Sequence, residues 1–98
     1  MKEISAEEVA QLVADKVAPA IIDVRETEEL ESGRIPGVIH IPLGLLEFRL
    51  QDLDKKTPYI VVCRSGGRSG RAVQLLEERG YTATNMIGGM LEWTGPVE

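Results

Sequence analysis

Cys63 is the only cysteine in the 98-residue chain, and it ends an apolar run, Tyr59-Ile-Val-Val62. A loop with two glycines follows, Cys63-Arg-Ser-Gly-Gly-Arg-Ser69, after which Ala72, Val73, Leu75, Leu76 and Arg79 recur at helical spacing. A strand, a tight loop and a helix N-terminus together make an anion cradle. Successive backbone N–H groups curl inward as a nest, and the helix dipole adds positive charge at the same point. Gly66 and Gly67 let an anion approach the backbone closely. A thiol at the bottom of such a cradle is favoured as thiolate, its nucleophilic form.

A lone cysteine at the end of an apolar strand is more often an inert, buried small hydrophobe. The neighbours of Cys63 argue against that. Arg64, Arg68 and Arg71 place three of the eleven basic residues within eight positions, although the formal net charge is −5. Ser65 and Ser69 add hydroxyl donors to the same loop. A positive cluster around the only thiol of an acidic protein points to a reactive cysteine in an electropositive site.

The elements that must hold this loop read in order along the chain. Ile4 belongs to a short first strand, and Ser5-Ala-Glu-Glu8 forms a capping box at the start of a helix carrying Val9, Leu12, Val13 and Val17. Ala20-Ile-Ile-Asp-Val24 is too continuously apolar for a half-exposed strand and predicts a central parallel one. Glu26-Thr-Glu-Glu-Leu-Glu31 reads as a solvated, partly helical turn. Val38-Ile-His-Ile41 is a further short strand, and its His40, the only histidine, reads as a filler rather than a base. Leu43, Leu46, Leu50 and Leu53 predict a helix laid on the sheet. The helix after the loop ends at Arg79 with Gly80 beyond it. Thr82–Ile87 is the last strand, followed by Gly88-Gly89 and a segment whose Trp93 covers the core. Strands and helices alternate, so the expected class is α/β, with a mostly parallel five-stranded sheet and helices on both faces, in one domain over residues 1–98. Ligands of such sheets bind beyond the carboxyl ends of the strands, where Cys63 lies.

Cys-Arg-Ser-Gly-Gly-Arg-Ser resembles the active-site loop of single-domain rhodanese-like sulfurtransferases. Ile22-Asp-Val-Arg-Glu26, Gly33-Arg-Ile-Pro-Gly37, Ile41-Pro-Leu43 and Gly88-Gly-Met-Leu-Glu-Trp93 agree with that family in order along nearly the whole chain. Arg34 departs from it, since the family often has His there. The resemblance implies sulfur transfer through a persulfide on Cys63, from thiosulfate or another sulfane-sulfur donor. The acceptor would be cyanide, a low-molecular-weight thiol or a protein thiol, including a sulfur-relay protein. Arg64, Ser65, Gly66, Gly67, Arg68 and Ser69 would bind the donor, and Asp23 and Arg25 would support the loop. No cofactor is implied.

Two other readings compete. A cysteine-dependent phosphatase or arsenate reductase uses Cys-x5-Arg, but position 69 is Ser69, so this loop is one residue too short. A non-catalytic anion- or partner-binding module would more often have lost the cysteine. Composition, 43% hydrophobic and 28% charged, is that of a soluble globular protein. No apolar run approaches the ~20 residues of a membrane helix, and the acidic balance argues against nucleic acid as partner. One histidine and one cysteine cannot furnish a zinc site. A single cysteine and no apolar leader suggest the cytoplasm, and the absence of a heptad seam suggests a monomer.

Overall fold

The computed structural model describes residues 1–98. Five strands, β1 (Glu3–Ser5), β2 (Ala20–Asp23), β3 (Ile39–His40), β4 (Pro58–Val62) and β5 (Thr82–Ile87), form one sheet in the order β1-β5-β4-β2-β3. All neighbours are parallel. Helix α1 (Ala6–Ala14) covers one face, while α2 (Gly67–Glu78) and two 3-10 segments, Leu43–Leu45 and Glu47–Asp52, cover the other.

The apolar run of β4 serves both faces. Tyr59, Val61 and Cys63 enter the core under α2, with Ala72, Val73 and Leu76. Ile60 and Val62 enter the core under α1, with Val9, Ile35 and Met86. This period-2 division is why a central parallel strand reads as continuously apolar. It also fixes the direction of Cys63, toward α2.

The capping box at Ser5 forms: the Glu8 amide donates to Ser5 Oγ at 3.0 Å. The helix stops at Ala14, short of Val17, which is exposed. Lys16 adopts a positive φ of 59° there, so the chain leaves the helix before Pro19 could end it. The leucine stripe also differs from expectation. Leu46, Leu50 and Leu53 are buried, but Leu50 lies on the second of two short 3-10 segments and Leu46 and Leu53 at its two ends, rather than all on one α-helix. Pro42 and Gly44 flank its start, and burial of the leucines against the sheet does not require continuous α-geometry. Trp93 packs among Ile35, Met86 and Met90 in the core under α1.

At the carboxyl end of β2, Asp23 is fully buried and Arg25 nearly so. The Asp23 carboxylate accepts from the Arg25 amide at 3.0 Å and from its guanidinium at 2.8–3.1 Å. Arg25 also donates to the carbonyls of Glu29 (3.2 Å) and Gly33 (3.0 Å), which ties the 3-10 segment Thr27–Ser32 to the sheet. His40 Nε2–H donates to the Arg25 carbonyl at 2.8 Å, a structural contact.

Arg25→Ala leaves the Asp23 carboxylate buried without its counter-ion, which typically costs about 3–5 kcal/mol. Urea unfolding should show a loss of that size. Arg25→Lys should not restore it, because one ammonium cannot span the carboxylate and both carbonyls. Full stability in Arg25→Ala would remove this pair from the frame of the fold.

Candidate active site

Cys63 follows the last residue of β4 and is 1% exposed. Gly66 then takes φ 107°, a left-handed conformation that glycine adopts without strain, and α2 begins at Gly67. The helix thus starts three residues earlier than its apolar spacing suggests. Arg68 and Ser69 belong to its first turn, and only Arg64, Ser65 and Gly66 lie in the loop.

The sulfur is held from several sides. The Gly66 N–H donates to Cys63 Sγ at 3.1 Å, and Ser69 Oγ lies 3.3 Å away. Burial pushes the thiol pKa up. Hydrogen bonds with Ser69, Gly66 and Ser65 pull it down by more, so it falls below its ordinary value. The largest lowering contacts are these local hydrogen bonds, not the arginine charges expected to share the work.

The reason lies in where the arginines point. Arg68 forms a two-pronged pair with Glu29, at 2.7 and 2.8 Å. The Glu29 side chain thus belongs to the site rather than to a solvated acidic run. The Arg68 hydrogen bond outweighs partial burial and lowers the Glu29 pKa to about 2, while Glu29 raises that of Arg68. Arg64 is exposed and makes no ion pair. It borders a cleft of about 210 Å³ shared with Arg25, Glu29, Ser32, Met90 and Leu91. Arg71 is exposed on α2. A larger hollow, about 350 Å³, lies at the start of β2, and Lys16 is its only charged lining residue. It is at the wrong end of the sheet for Cys63.

The turn after β5 anchors the loop from behind. The Met90 amide donates to the Cys63 carbonyl at 2.9 Å and the Leu91 amide to the Arg64 carbonyl at 3.0 Å. A Cβ on Gly89 would sit 2.4 Å from the Arg64 carbonyl oxygen, so only glycine allows this approach. Asn85 of β5 completes the ring, with Oδ1 2.5 Å from Ser69 Oγ and Nδ2 3.1 Å from the Gly66 carbonyl.

Among the candidate residues, Cys63, Gly66 and Ser69 therefore meet at the sulfur. The Ser65 amide reaches it as well. Arg64 and Ser65 are exposed, and the Asp23–Arg25 pair reaches the first turn of α2 through Glu29. Glu29 and Asn85 escaped the sequence reading. The trace of Glu29 is its place four residues after Arg25. That of Asn85 is a polar residue at the parity of Ala83, on the core face of β5.

The rhodanese-like domain family matches residues 5–96, a span that holds every one of these elements. The chain belongs to that family. It is 41% identical over 97 residues to the "Putative sulfur carrier protein YrkF" of Bacillus subtilis (strain 168), covering 98% of this chain and 52% of YrkF. The chain thus spans about half the length of that relative. It is 38% identical over 95 residues to the "Putative sulfurtransferase YtwF" of the same strain, covering 97% of this chain and 92% of YtwF. Among solved structures, SSP1007 from Staphylococcus saprophyticus shares 34% identity at a TM-score of 0.94, with 100% of this chain and 99% of that one covered. The rhodanese-like fold expected from the sequence is the one observed, and sulfur transfer is the reaction class that the family supports.

The Glu29–Arg68 pair is about 30% exposed on each side chain. Its worth should lie between that of a surface pair and a buried charge-assisted contact, about 1–2 kcal/mol. Glu29 has a depressed pKa in the folded protein. The contribution is therefore full above the unfolded value of ~4.5 and fades as pH falls toward 2. Glu29→Gln should lower the urea midpoint at pH 7, with the gap to the unmodified protein closing between pH 4.5 and 2. A gap independent of pH would show that the carboxylate charge contributes nothing.

Proposed function

We propose that this protein transfers a sulfane sulfur through a persulfide on Cys63. The carrying observation is the buried sulfur accepting the Gly66 N–H at 3.1 Å, with its pKa lowered by the surrounding hydrogen bonds. The Cys63 thiolate attacks the outer sulfur of an anionic donor such as thiosulfate. A new S–S bond forms, the donor S–S bond breaks, and its electron pair leaves with sulfite. The loop amides stabilise the persulfide anion as they would an oxyanion. A thiophilic acceptor then attacks the outer sulfur, takes it, and returns Cys63 as thiolate. No general base is needed once the thiol is ionised, and neither metal nor organic cofactor enters the steps.

Arg64, exposed and unpaired beside the 210 Å³ cleft, is the residue we assign to donor recruitment. Arg68 and the hydroxyl of Ser65 contribute to the rim, Arg68 with its charge largely answered by Glu29. Asp23 and Arg25 act by holding the neighbouring segment. Acceptors of this class include cyanide, low-molecular-weight thiols and protein thiols. The likeness to a protein named a sulfur carrier favours a relay partner. The free thiol suits the cytoplasm, and we take the working unit to be a monomer.

The loop length favours sulfur over phosphate. A phosphoryl group presents three oxygens to be surrounded, and a ring one residue shorter than Cys-x5-Arg fits a single added sulfur better.

Thiosulfate treatment should add about 32 Da at Cys63, removable by cyanide and absent in Cys63→Ser, which keeps the fold. Hydrolysis of p-nitrophenyl phosphate should be negligible. Efficient phosphate-ester hydrolysis with no added sulfur would overturn the reading. Arg64→Ala should raise KM for thiosulfate by an amount worth about 1.5–3 kcal/mol, the value of one charge-assisted contact. Arg68→Ala should raise it less. Equal KM values for Arg64→Ala and the unmodified protein would assign Arg64 to other work.

A further inference from the structure

Asn85 is a buried amide, 4% exposed, on the core face of β5, where its strand partner is Val61 of β4. Burying a carboxamide is costly unless its polar atoms are answered, and those of Asn85 are answered by the Cys63 loop. Its orientation is fixed, because the Gly66 carbonyl can only accept. Nδ2 must therefore face Gly66 and Oδ1 must face Ser69. Ser69 Oγ, fully buried, has a single proton and two neighbours that compete for it. These are Asn85 Oδ1 at 2.5 Å and Cys63 Sγ at 3.3 Å. Oδ1 cannot donate, so the 2.5 Å contact requires the Ser69 proton. In the resting thiol, the S–H then points to Ser69 Oγ. An ionised sulfur could recruit the hydroxyl only by turning its proton away from Asn85.

We propose that Asn85 is a positioning residue for Cys63 that acts through Ser69, holding the hydroxyl proton off the sulfur and the Gly66 carbonyl out of the cradle, so that the thiolate is served by backbone amides. This rests on Cys63 as the nucleophile of sulfur transfer. The consequence concerns reactivity. Each added donor raises the thiolate fraction but lowers the nucleophilicity of the thiolate, with a Brønsted slope of about 0.4–0.5. By withholding one donor, Asn85 keeps the sulfur more reactive once ionised.

The test is a four-protein cycle: unmodified, Ser69→Ala, Asn85→Leu and the double variant. The pH profile of iodoacetamide alkylation is read in each. Alkylation reports thiol ionisation without any sulfur donor, so its outcome is separate from whether persulfide forms. Loosening of Gly66 is common to both Asn85 variants. The charged groups near the loop, Arg64, Arg68 with Glu29, and Arg25 with Asp23, are the same in all four. With Asn85 present, Ser69→Ala should lower the thiolate-to-thiol ratio, read from the apparent pKa, far less than it does with Leu at position 85. With Leu at position 85 the freed hydroxyl donates to sulfur, and its removal should cost about tenfold in that ratio, the equivalent of one hydrogen bond to a charged group. A Ser69 effect as large with Asn85 as without it overturns the proposal. Should Asn85→Leu not fold, the first comparison decides alone. A tenfold fall in the thiolate-to-thiol ratio of Ser69→Ala with Asn85 in place would mean that the hydroxyl already serves the sulfur, and would overturn the proposal.

Discussion

A thiol that must ionise while enclosed cannot rely on water, so every hydrogen bond its anion receives must come from the protein. Cys63 is 1% exposed, and an unanswered charge at that depth costs several kcal/mol. The donors that answer it are amides of the loop and of the first turn of α2. A helix leaves its first four N–H groups without internal partners, so it offers such donors at no cost to its own bonding. Where many helices place a serine or aspartate oxygen at the N-cap, α2 has Gly66, which has no side chain to cap with. The sulfur of Cys63 takes that office. The contacts that begin the helix and those that stabilise the thiolate are therefore the same contacts.

The charges around the loop are arranged in pairs rather than as a field. Asp23 answers Arg25, and Glu29 answers Arg68. Arg25 holds the carbonyl of Glu29 while Glu29 holds the guanidinium of Arg68, so a chain of contacts runs from the end of β2 to the first turn of α2. Within it the arginines position backbone more than they attract anions. That leaves Arg64 as the exposed, unpaired cation at the rim, on a protein of net charge −5.

Much of this could be read from residues alone, and the misses share a cause. The run Tyr59–Val62, the capping box at Ser5 and the strand Thr82–Ile87 are local patterns that the folded chain obeys. The leucines at 43, 46, 50 and 53 fit helical spacing equally well when distributed over two 3-10 segments, because spacing constrains which face is buried and not the hydrogen-bond pattern. The start of α2 was hidden because Gly67, Arg68 and Ser69 bear no apolar signal, yet the Ser69 amide is among those that lower the thiol pKa. Glu29 sits 39 residues from Arg68 and Asn85 lies 16 from Ser69. No window along one chain reports such partners until the sheet order is known.

Parity then does the rest. In β4 the core under α2 receives positions 59, 61 and 63, and in β5 it receives 83 and, by the same alternation, 85. The register pairs Val61 with Asn85, so Asn85 stands beside the end of β4 on the side to which Cys63 points. Moving either strand by one residue would send the cysteine or the asparagine to the core under α1, among Ile60, Val62 and Met86. The polar network of Cys63, Ser69, Asn85 and Gly66 thus depends on a register that the apolar residues of both strands enforce. Hydrophobic burial, which has no direction of its own, becomes directional through the two-residue period of the strand, and the site inherits its geometry from the core.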